Sequence, residues 1–539
     1  MQFMNLQGKG SRLTWNLEID YQKIRDTILS AIFFIFSYAP SPFGFFIYFA
    51  FIPQFNLYLK LTPKQAFLTG YILGIIVNSG VLYWIIPYSF TAYIWVVLLN
   101  SVQFAVFALI FTYALKLRRV FALLAFPFLW TFIEYTRQIG EIAFNWLSIA
   151  HTQTYFLALI QYVEFTGHLG VVFWICLINL LLYAMWNYRS DFRKMGFCIG
   201  LLLLLFIIPF IFGLIKLSEK PGLKGISVGY VQPNIDPVKK WSAAFQKKNI
   251  KVLSDLTDSL MIYKPDLVIW PETAIPYDLQ SEQKDLEFLI NYSAQNRIYL
   301  LTGTLDYITL EDKKAKFNAA LLFSSDNDPV EVYHKMMPVP FEEKIPFSSF
   351  LGDIDFGVNY LSAGDHATVF ELFLRTYYVH FNGSDWYGTK KTEKEENVKF
   401  GTVICFESLF PNLVRRFFRS DAQILTVITN DAWFEYTAQP YQHIQIAIFR
   451  AIENRSAIIQ CANSGISGFI DPYGRIFDAS DIFTTRYAQK IIPLRIKATI
   501  YTKFGDTVGI ICGIVLITFV LLTILSNLAF IKNRIIRCQ

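Results

Sequence analysis

The sequence predicts a membrane α-helical bundle of eight transmembrane helices and an extracytoplasmic α/β sandwich domain. Of its 539 residues, 54% are hydrophobic and only 17% are charged, which is typical of a membrane protein. Long uncharged runs occur near both ends, whereas the middle alternates β-branched runs with helical patterns. We therefore predict a seven-helix bundle at 1–217, a water-soluble α/β domain at 218–506, and a last membrane helix with its tail at 507–539.

The transmembrane helices are predicted from apolar runs, because crossing a bilayer takes about 20 apolar residues. The stretch 28–59 carries one such run interrupted by "APSP" at 39–42, and its prolines predict two helices that meet at a turn. The other predicted spans are 66–87, 91–115, 120–133, 169–186, 195–217 and 508–530.

Basic residues predict the orientation, since positive charge collects in cytoplasmic loops. They precede the first predicted helix and follow the second, fourth, sixth and eighth: Lys9, Arg12, Lys23, Arg25, Lys60, Lys64, Lys116, Arg118, Arg119, Arg189, Arg193, Lys194, Lys532, Arg534 and Arg537. The alternate loops "APSP" and "PYSFTAY" are uncharged. The 218–506 domain is therefore expected on the extracytoplasmic side of the membrane.

Charged residues also follow the fifth predicted helix, at Glu134, Arg137 and Glu141. Such residues serve either as interfacial anchors or as contacts for a substrate, and the sequence leaves both interpretations open.

The α/β prediction depends on seven strand-like runs separated by amphipathic helical segments. The runs are 225–234, 265–272, 297–304, 318–324, 398–407, 422–431 and 457–471. Because they are almost continuously apolar, we expect sheet that is buried on both faces. The charged segment 376–397 is interpreted as an inserted surface loop.

Several functions are not predicted. The formal charge of +6 is modest and spread over short loops, so we expect no nucleic-acid partner. The six histidines lack metal-ligand spacing, and we predict neither a metal nor another cofactor. His443, near a predicted helix start, is interpreted as structural.

Three apolar strands end at residues with complementary chemistry: Glu272, Lys335 and Cys405. Active sites gather at the carboxyl ends of strands in α/β domains. If these groups meet there, the carboxylate could deprotonate the thiol, the ammonium could stabilise an oxyanion, and the thiol could attack a carbonyl. We expect the cation to lower the pKa of the thiol.

Each of these residues also has a structural interpretation. Cys405 could fill the core or form a disulfide with Cys461, the other cysteine of the α/β domain. Glu272 could begin a helix, and Lys335 could be a surface charge. The strand pattern alone leaves catalysis and these alternatives open.

Five motifs in order carry a family resemblance: "WPETAIP" at 270–276, "HKMMPVPFEEKIPF" at 334–347, "GTVICFES" at 401–408, "TNDAWF" at 429–434 and "NSGISGFIDPYG" at 463–474. They resemble the carbon–nitrogen hydrolase (nitrilase) superfamily. With membrane helices on both sides of that domain, the chain looks like the bacterial apolipoprotein N-acyltransferase family. The resemblance implies a nitrilase-like sandwich fold.

The resemblance also implies roles for individual residues. Glu272 would be the general base, Cys405 the nucleophile, and Lys335 the group that stabilises the tetrahedral intermediate. Supporting and substrate-binding positions are implied as well. The supporting residues are Glu343, Phe406 and Glu407; the substrate-binding residues are Trp241, near the acyl-chain entrance, with Trp433 and Phe434 in the loop after the nucleophile strand.

The implied reaction has two steps. An acyl chain passes from a phospholipid to the thiol as a thioester, and then to the free amine of the S-diacylglyceryl-cysteine that begins an apolipoprotein. The implied partners are these two lipid-anchored substrates and the membrane. The enzyme would be a monomer in the bacterial inner membrane with its catalytic domain on the periplasmic side.

Four positions depart from the family pattern: Glu342 and Glu435 replace glycines, Lys344 replaces an aromatic residue, and Phe406 replaces a tyrosine. Two other functions remain open. A membrane-anchored amidase would use the same three residues with water as the second nucleophile, and a lipid-binding scaffold would use none of them.

Overall fold

The computed structural model describes residues 7–219, 223–310, 313–326, 329–346 and 360–538. The first of these ranges forms a helical bundle. Its helices are α1 (Gln7–Ser37), α2 (Ile52–Tyr58), α3 (Pro63–Val81), α4 (Phe90–Leu117), α5 (Arg119–Thr136), α6 (Leu157–Ile160), α7 (Val163–Thr166), α8 (His168–Asn187) and α9 (Phe192–Ser218).

Within the described residues, four helices are long and apolar enough to cross a membrane: α4, α5, α8 and α9. A shorter apolar stretch, Thr507–Thr523, belongs to the helix that ends the described chain. The stretch 28–59 differs from its prediction. Its second half was predicted to be one helix. It is instead a 3-10 helix, Gly44–Phe49, followed by the short α2.

The segment between α5 and α8 joins the bundle to the α/β domain. Trp146 Nε1 donates to Gln442 Oε1 at 2.6 Å, and Trp84 Nε1 donates to the same oxygen at 3.1 Å. Arg455 Nε donates to Glu164 Oε2 at 2.7 Å in α7. These hydrogen bonds between largely buried groups hold the α/β domain against the helices.

Strands and helices alternate in the α/β domain. The strands are β1 (Leu223–Gln232), β2 (Leu267–Ile269), β3 (Ile275–Asp278), β4 (Tyr299–Leu310), β5 (Lys313–Phe323), β6 (Glu331–His334), β7 (Val369–Leu374), β8 (Tyr377–Phe381), β9 (Trp386–Lys391), β10 (Glu396–Ile404), β11 (Ile424–Thr429), β12 (Ala457–Ala462), β13 (Gly468–Ile470), β14 (Ile476–Phe477) and β15 (Arg486–Pro493). The helices are α10 (Ala243–Leu260), α11 (Gln283–Asn296), α12 (Pro411–Arg419), α13 (Gln439–Asn454), α14 (Ile500–Phe504) and α15 (Thr507–Cys538).

These strands form two sheets packed face to face. One sheet has the order β6-β5-β4-β2-β1-β8-β9, with β15 paired to β1 and β3 paired to β4. The other has the order β14-β13-β12-β11-β10-β7. In the first sheet β2 is parallel to β4, and β5 is antiparallel to both β4 and β6. Strands β2 and β6 therefore point the same way, which brings their carboxyl ends to one edge.

Alternating side chains of each inner strand pack in opposite directions, as the two-residue period of a strand requires. Leu267 and Ile269 of β2 belong to the core between the sheets. Val268, between them, and Trp270 belong to the core beneath α10 and α11. The expectation of sheet buried on both faces is confirmed for this strand, and the domain is an α/β sandwich.

The segment 376–397 is not a surface loop, as its charge had suggested. It contains the β8–β9 hairpin, and β8 extends the first sheet by pairing with β1. The ammonium of Lys490 pairs with Asp385 at 2.7 Å, and Trp386 is buried. The charged residues lie on the exposed side of an edge hairpin whose apolar residues face the domain.

Candidate active site

Glu272 lies just beyond the end of β2, in a tight turn supported by β4. The backbone of Gly303 in β4 passes so close that a Cβ there would be 2.6 Å from the carbonyl oxygen of Pro271. A side chain at this position would push the turn away, so glycine permits the approach. The carboxylate of Glu272 is 7% exposed and therefore has a defined orientation.

Lys335 follows the last residue of β6. Its backbone N–H donates to the carbonyl oxygen of Asn318 at 2.9 Å, which continues the pairing of β6 with β5. Its side chain is only 2% exposed. A buried ammonium requires charged partners, and Lys335 has two.

Two carboxylates share the ammonium of Lys335. Nζ lies 2.8 Å from Glu343 Oε2 and 3.6 Å from Glu272 Oε1. The amide of Asn318 ties the same two carboxylates together, because Nδ2 donates to Glu272 Oε1 at 2.8 Å and to Glu343 Oε1 at 3.2 Å. Burial alone would lower the pKa of Lys335, but Glu343 and then Glu272 raise it above its ordinary value. The lysine is therefore a permanent cation.

Cys405 occupies a strained turn at the end of β10, with φ of +52°. Non-glycine residues rarely adopt this left-handed conformation, and it persists only where neighbours hold it. Ser408 Oγ donates to the Cys405 carbonyl oxygen at 3.0 Å, and His443 Nε2 lies 3.3 Å from the same oxygen. The turn directs the thiol into the cavity that Glu272 and Lys335 also line.

Glu407 connects the Cys405 turn to the Lys335 segment. Its Oε2 accepts from Ile404 N at 2.7 Å, and its Oε1 accepts from Met336 N at 2.6 Å. Tyr333 OH donates to both oxygens. Burial raises the pKa of Glu407 to about 7, while the backbone donors oppose the shift. One buried carboxyl thus links the two sheets directly behind the site.

We expect Glu407→Gln to lower both stability and activity. The amide nitrogen would face a backbone N–H of either Ile404 or Met336, and a buried donor without an acceptor costs about 1–3 kcal/mol. Thermal unfolding in detergent should show this loss, and the reaction rate at the site should fall at least about tenfold because the turns that carry Cys405 and Lys335 shift. Glu396→Gln at the domain surface, where the partner is Lys224, is the matched control. Equal effects of the two variants would contradict the proposed link.

The thiol does not have the lowered pKa that its neighbouring cation had suggested. Burial and the Glu272 carboxylate raise the pKa of Cys405 well above its ordinary value, and Lys335 lowers it by less. The resting site therefore holds a neutral thiol. Attack by its sulfur would require a base at the moment of reaction, and Glu272 lines the same cavity as the thiol.

The disulfide alternative does not hold, because Cys405 and Cys461 are both free thiols. Cys461 is fully buried in β12 and its Sγ donates to the carbonyl oxygens of Val231 at 3.4 Å and Ile269 at 3.3 Å. Cys461 is a core residue, whereas Cys405 opens to a cavity.

The cavity has a volume of about 1090 Å³ and joins the polar cluster to the membrane helices. Its polar end is lined by Glu272, Lys335, Glu343 and Cys405. Its other wall is largely apolar and comes mainly from one face of α4 and from α5. The lining residues there are Ala92, Val96, Leu99, Val102, Val106 and Ile133. The cavity thus connects the thiol to an apolar wall formed by these helices.

Arg137 also lines this cavity, at the end of α5. Its Nη2 donates to Asn100 Oδ1 and to the Phe144 carbonyl oxygen, both at 2.9 Å. Glu134, by contrast, is buried in the bundle and accepts from Ser148 Oγ at 2.6 Å. Of the three charged residues that the sequence left open, Glu134 and Arg137 thus have different surroundings.

The aromatic residues implied as substrate contacts line the same cavity. Trp241 is 40% exposed at one side of it. Trp433 and Phe434 follow β11, the strand next to the nucleophile strand, and not β10 itself. Phe434 packs edge-on against Trp84 with ring centroids 5.0 Å apart. Phe406, buried beside the thiol, packs against Phe410 at 5.1 Å.

Two of the departures from the family pattern, Glu342 and Glu435, are at or next to residues that line the cavity. Glu342 lines it, and burial with the neighbouring Glu343 raises the pKa of Glu342 to about 7. Glu435 has φ of +52° and ψ of −153°, a conformation that glycine adopts without strain. Glu435, directly after Phe434, therefore has a strained backbone conformation.

Several residues of the site escaped the sequence analysis. Asn318 lies in the middle of β5, and Lys240 adjoins Trp241 with no motif that singles it out. His443 is structural, as expected, because its Nδ1 lies 3.0 Å from Asp431 Oδ1 in a fully buried pair behind the Cys405 turn. In the described residues no group of histidine, cysteine or acidic side chains could hold a metal ion.

Comparison with known proteins identifies the two halves. A family profile for the N-terminal domain of apolipoprotein N-acyltransferase matches residues 30–181, and a carbon–nitrogen hydrolase profile matches residues 227–494. A solved structure of a Nesterenkonia amidase from the nitrilase superfamily is similar over 51% of this chain and 94% of its own, with 13% identity and a TM-score of 0.35.

Curated relatives match most of the chain. The apolipoprotein N-acyltransferase of Chlorobaculum tepidum is 30% identical over 80% of this chain and 82% of its own length. That of Geobacter metallireducens is 28% identical over 90% of this chain and 92% of its own.

The fold and the site thus define a carbon–nitrogen hydrolase domain carried by membrane-type helices. More particularly, the chain belongs to the apolipoprotein N-acyltransferase family.

Proposed function

We propose that the protein transfers an acyl chain from a phospholipid, through a thioester on Cys405, to the N-terminal amine of S-diacylglyceryl-cysteine on an apolipoprotein. The product is a triacylated lipoprotein. The observation that carries the proposal is the cavity that runs from the apolar face of α4 to the Cys405 thiol. The family membership supports the same reaction.

In the first step Glu272 accepts the thiol proton while the sulfur attacks the ester carbonyl. The developing oxyanion is stabilised by the ammonium of Lys335. The intermediate collapses, the ester C–O bond breaks, and Glu272 returns the proton to the leaving alcohol of the lysophospholipid. The thioester on Cys405 retains the acyl chain.

In the second step the amine of the acceptor attacks the thioester. Glu272 accepts a proton from the amine, Lys335 again stabilises the oxyanion, and the C–S bond breaks. The proton returns to the sulfur and restores the neutral thiol. Water must be excluded between the two steps, and the apolar wall of the cavity favours the lipid acceptor over water.

The other site residues have assigned places in this scheme. Glu343 orients Lys335, Glu407 supports the two catalytic turns, and Phe406 packs beside the thiol. Trp241, Trp433 and Phe434 contact the lipid chains. No cofactor is required, because acid–base chemistry and the thiol suffice.

The proposed setting follows the charge pattern of the sequence. Eight membrane crossings divide the chain into a bundle at 1–217, the catalytic domain at 218–506 and a last helix at 507–539. The catalytic domain would lie on the periplasmic side of the inner membrane, and the protein would act as a monomer.

The test is to trap the intermediate. The purified protein is incubated with a diacyl phospholipid, and we expect mass spectrometry to find one acyl chain on the peptide containing Cys405, removable by hydroxylamine. A lipopeptide with a free S-diacylglyceryl-cysteine amine should then accept the chain, whereas the same lipopeptide with an acetylated amine should not. Hydrolysis of small amides without this intermediate would favour the amidase alternative. Absence of any turnover would favour a lipid-binding scaffold.

A further inference from the structure

Lys240 is a second buried lysine at the candidate active site. It belongs to the 3-10 helix Lys239–Trp241 and is 2% exposed. Its Nζ donates to the Thr273 carbonyl oxygen at 3.2 Å and to Thr273 Oγ1 at 2.5 Å. The amide oxygen of Asn430, turned toward it, accepts from Nζ at 3.0 Å and from Trp433 Nε1 at 3.2 Å. These three acceptors are neutral, which is unusual for a buried ammonium.

The two partners of Lys240 are the residues that position Glu272. Thr273 directly follows Glu272 and has φ of +44°, which is strained for a β-branched residue. The Asn430 backbone N–H donates to Glu272 Oε2 at 3.0 Å. Lys240 therefore contacts both Thr273, in the turn that follows Glu272, and Asn430, whose backbone N–H donates to the Glu272 carboxylate.

The charges of the cluster also require a second cation. The buried Glu272 and the partly buried Glu343 share one ammonium, Lys335, which lies closer to Glu343 than to Glu272. Lys316 and Arg137 also line the cavity, but among the described residues the ion pairs of Glu272 and Glu343 are with Lys335. The other titratable groups near these carboxylates are Cys405, Glu342, Tyr88 and the buried pair of His443 with Asp431. The positive charge of Lys240 balances the second carboxylate.

Lys240 remains largely charged at neutral pH despite its burial. Desolvation lowers the pKa of this lysine to about 8, and the Glu272 carboxylate opposes the shift. A neutral amine would also satisfy the three acceptors less well, since it has one donor fewer.

We propose that Lys240 is a positioning residue for Glu272: its ammonium holds the strained Thr273 turn and places a second buried positive charge beside the Glu272 carboxylate. The inference rests on the proposed function, in which Glu272 must be ionised to accept the thiol proton. Trp241, the next residue in the chain, lines the cavity and is one of the residues proposed to contact the lipid chains.

Loss of this charge has a defined kinetic signature. A nearby opposite charge stabilises the ionised form of a carboxyl group by about 1–3 pH units, so removing it favours the protonated form of Glu272. The acid limb of the rate–pH profile for thioester formation should therefore move to higher pH.

The experiment measures single-turnover formation of acyl-Cys405 as a function of pH in Lys240→Met. We expect the acid limb to move up by at least about one pH unit, with a rate about tenfold lower on that limb. The apparent KM for phospholipid should change little. Lys240→Arg keeps the charge and should keep the wild-type limb. Lys239→Met is the matched control, because Lys239 is exposed and pairs only weakly with Asp236.

A second variant keeps the proposal testable if Lys240→Met does not fold. Thr273→Val preserves the shape of the side chain but removes the hydroxyl that accepts from Lys240, and we expect a smaller shift in the same direction. A slower Lys240→Met enzyme with an unshifted acid limb would reduce Lys240 to a structural residue and overturn the inference. An unshifted limb in Thr273→Val, with Lys240→Met unfolded, would do the same. If the wild-type protein forms no acyl-Cys405, the proposed function fails instead.

Discussion

Replacing Cys405 with alanine is expected to abolish acyl transfer and leave the protein folded in the membrane. The sulfur is the only atom of the protein that bonds to the acyl group in the proposed mechanism, so the rate should fall more than about a thousandfold. Cys405→Ser should also be inactive, because a hydroxyl is a weaker nucleophile than a thiol and the site is arranged around sulfur. Acylation of a lipopeptide substrate and mass spectrometry of the enzyme measure the two losses.

The control for this substitution is Cys461→Ala. Cys461 is the other cysteine of the α/β domain, and its buried thiol packs in the core away from the cavity. We expect this variant to lose thermal stability but to retain the acyl-enzyme. The unfolding free energy of Cys405→Ala should stay within about 1 kcal/mol of wild type. Normal lipopeptide acylation by purified Cys405→Ala would remove the proposed nucleophile.

Replacing Lys335 with methionine is expected to reduce both activity and stability strongly. The ammonium lies 2.8 Å from Glu343 and 3.6 Å from Glu272, and the side chain is buried. Breaking a buried ion pair by removing one partner costs about 3–5 kcal/mol. Removing a group that stabilises the oxyanion lowers the rate at least about a hundredfold.

A surface ion pair is the matched control for Lys335→Met. Lys399 lies 2.9 Å from Glu371 with both side chains more than a third exposed, so Lys399→Met should change stability by less than about 1 kcal/mol. Thermal unfolding and single-turnover acylation are measured on both variants. If Lys335→Met retained wild-type acylation, Lys335 would have no place in the reaction.

The positions of Glu272 and Lys335 could be predicted because each follows an apolar strand. The structure shows why the rule applies here: β2 and β6 run in the same direction in one sheet, so their carboxyl ends meet. Cys405 follows β10 of the opposite sheet and lines the same cavity. The catalytic roles of these residues remain predictions that the variants above test.

The partners of these residues could not be predicted. Asn318 joins Glu272 to Glu343 from the middle of β5, a position that the sequence pattern assigns to the core. The predicted direction of the Cys405 pKa was wrong, because the order of the motifs indicates a nearby cation but does not show how deeply the thiol is buried. The segment 376–397 was interpreted as a loop because it contains a run of charged residues. The pairing of β8 with β1 depends on a strand far away in the sequence, so the charge pattern does not reveal it.

The sequence by itself determined that apolar membrane-type helices flank an α/β domain, and which acid, amine and thiol end its strands. Such properties depend on hydropathy and periodicity over a few neighbouring residues, so the local sequence is enough to predict them. The tertiary structure alone decided that Glu343 shares Lys335 with Glu272, that Lys240 supplies a second buried charge, and that a cavity leads from α4 to Cys405. Those features depend on burial and on distances between residues far apart in sequence, which only the packed chain defines.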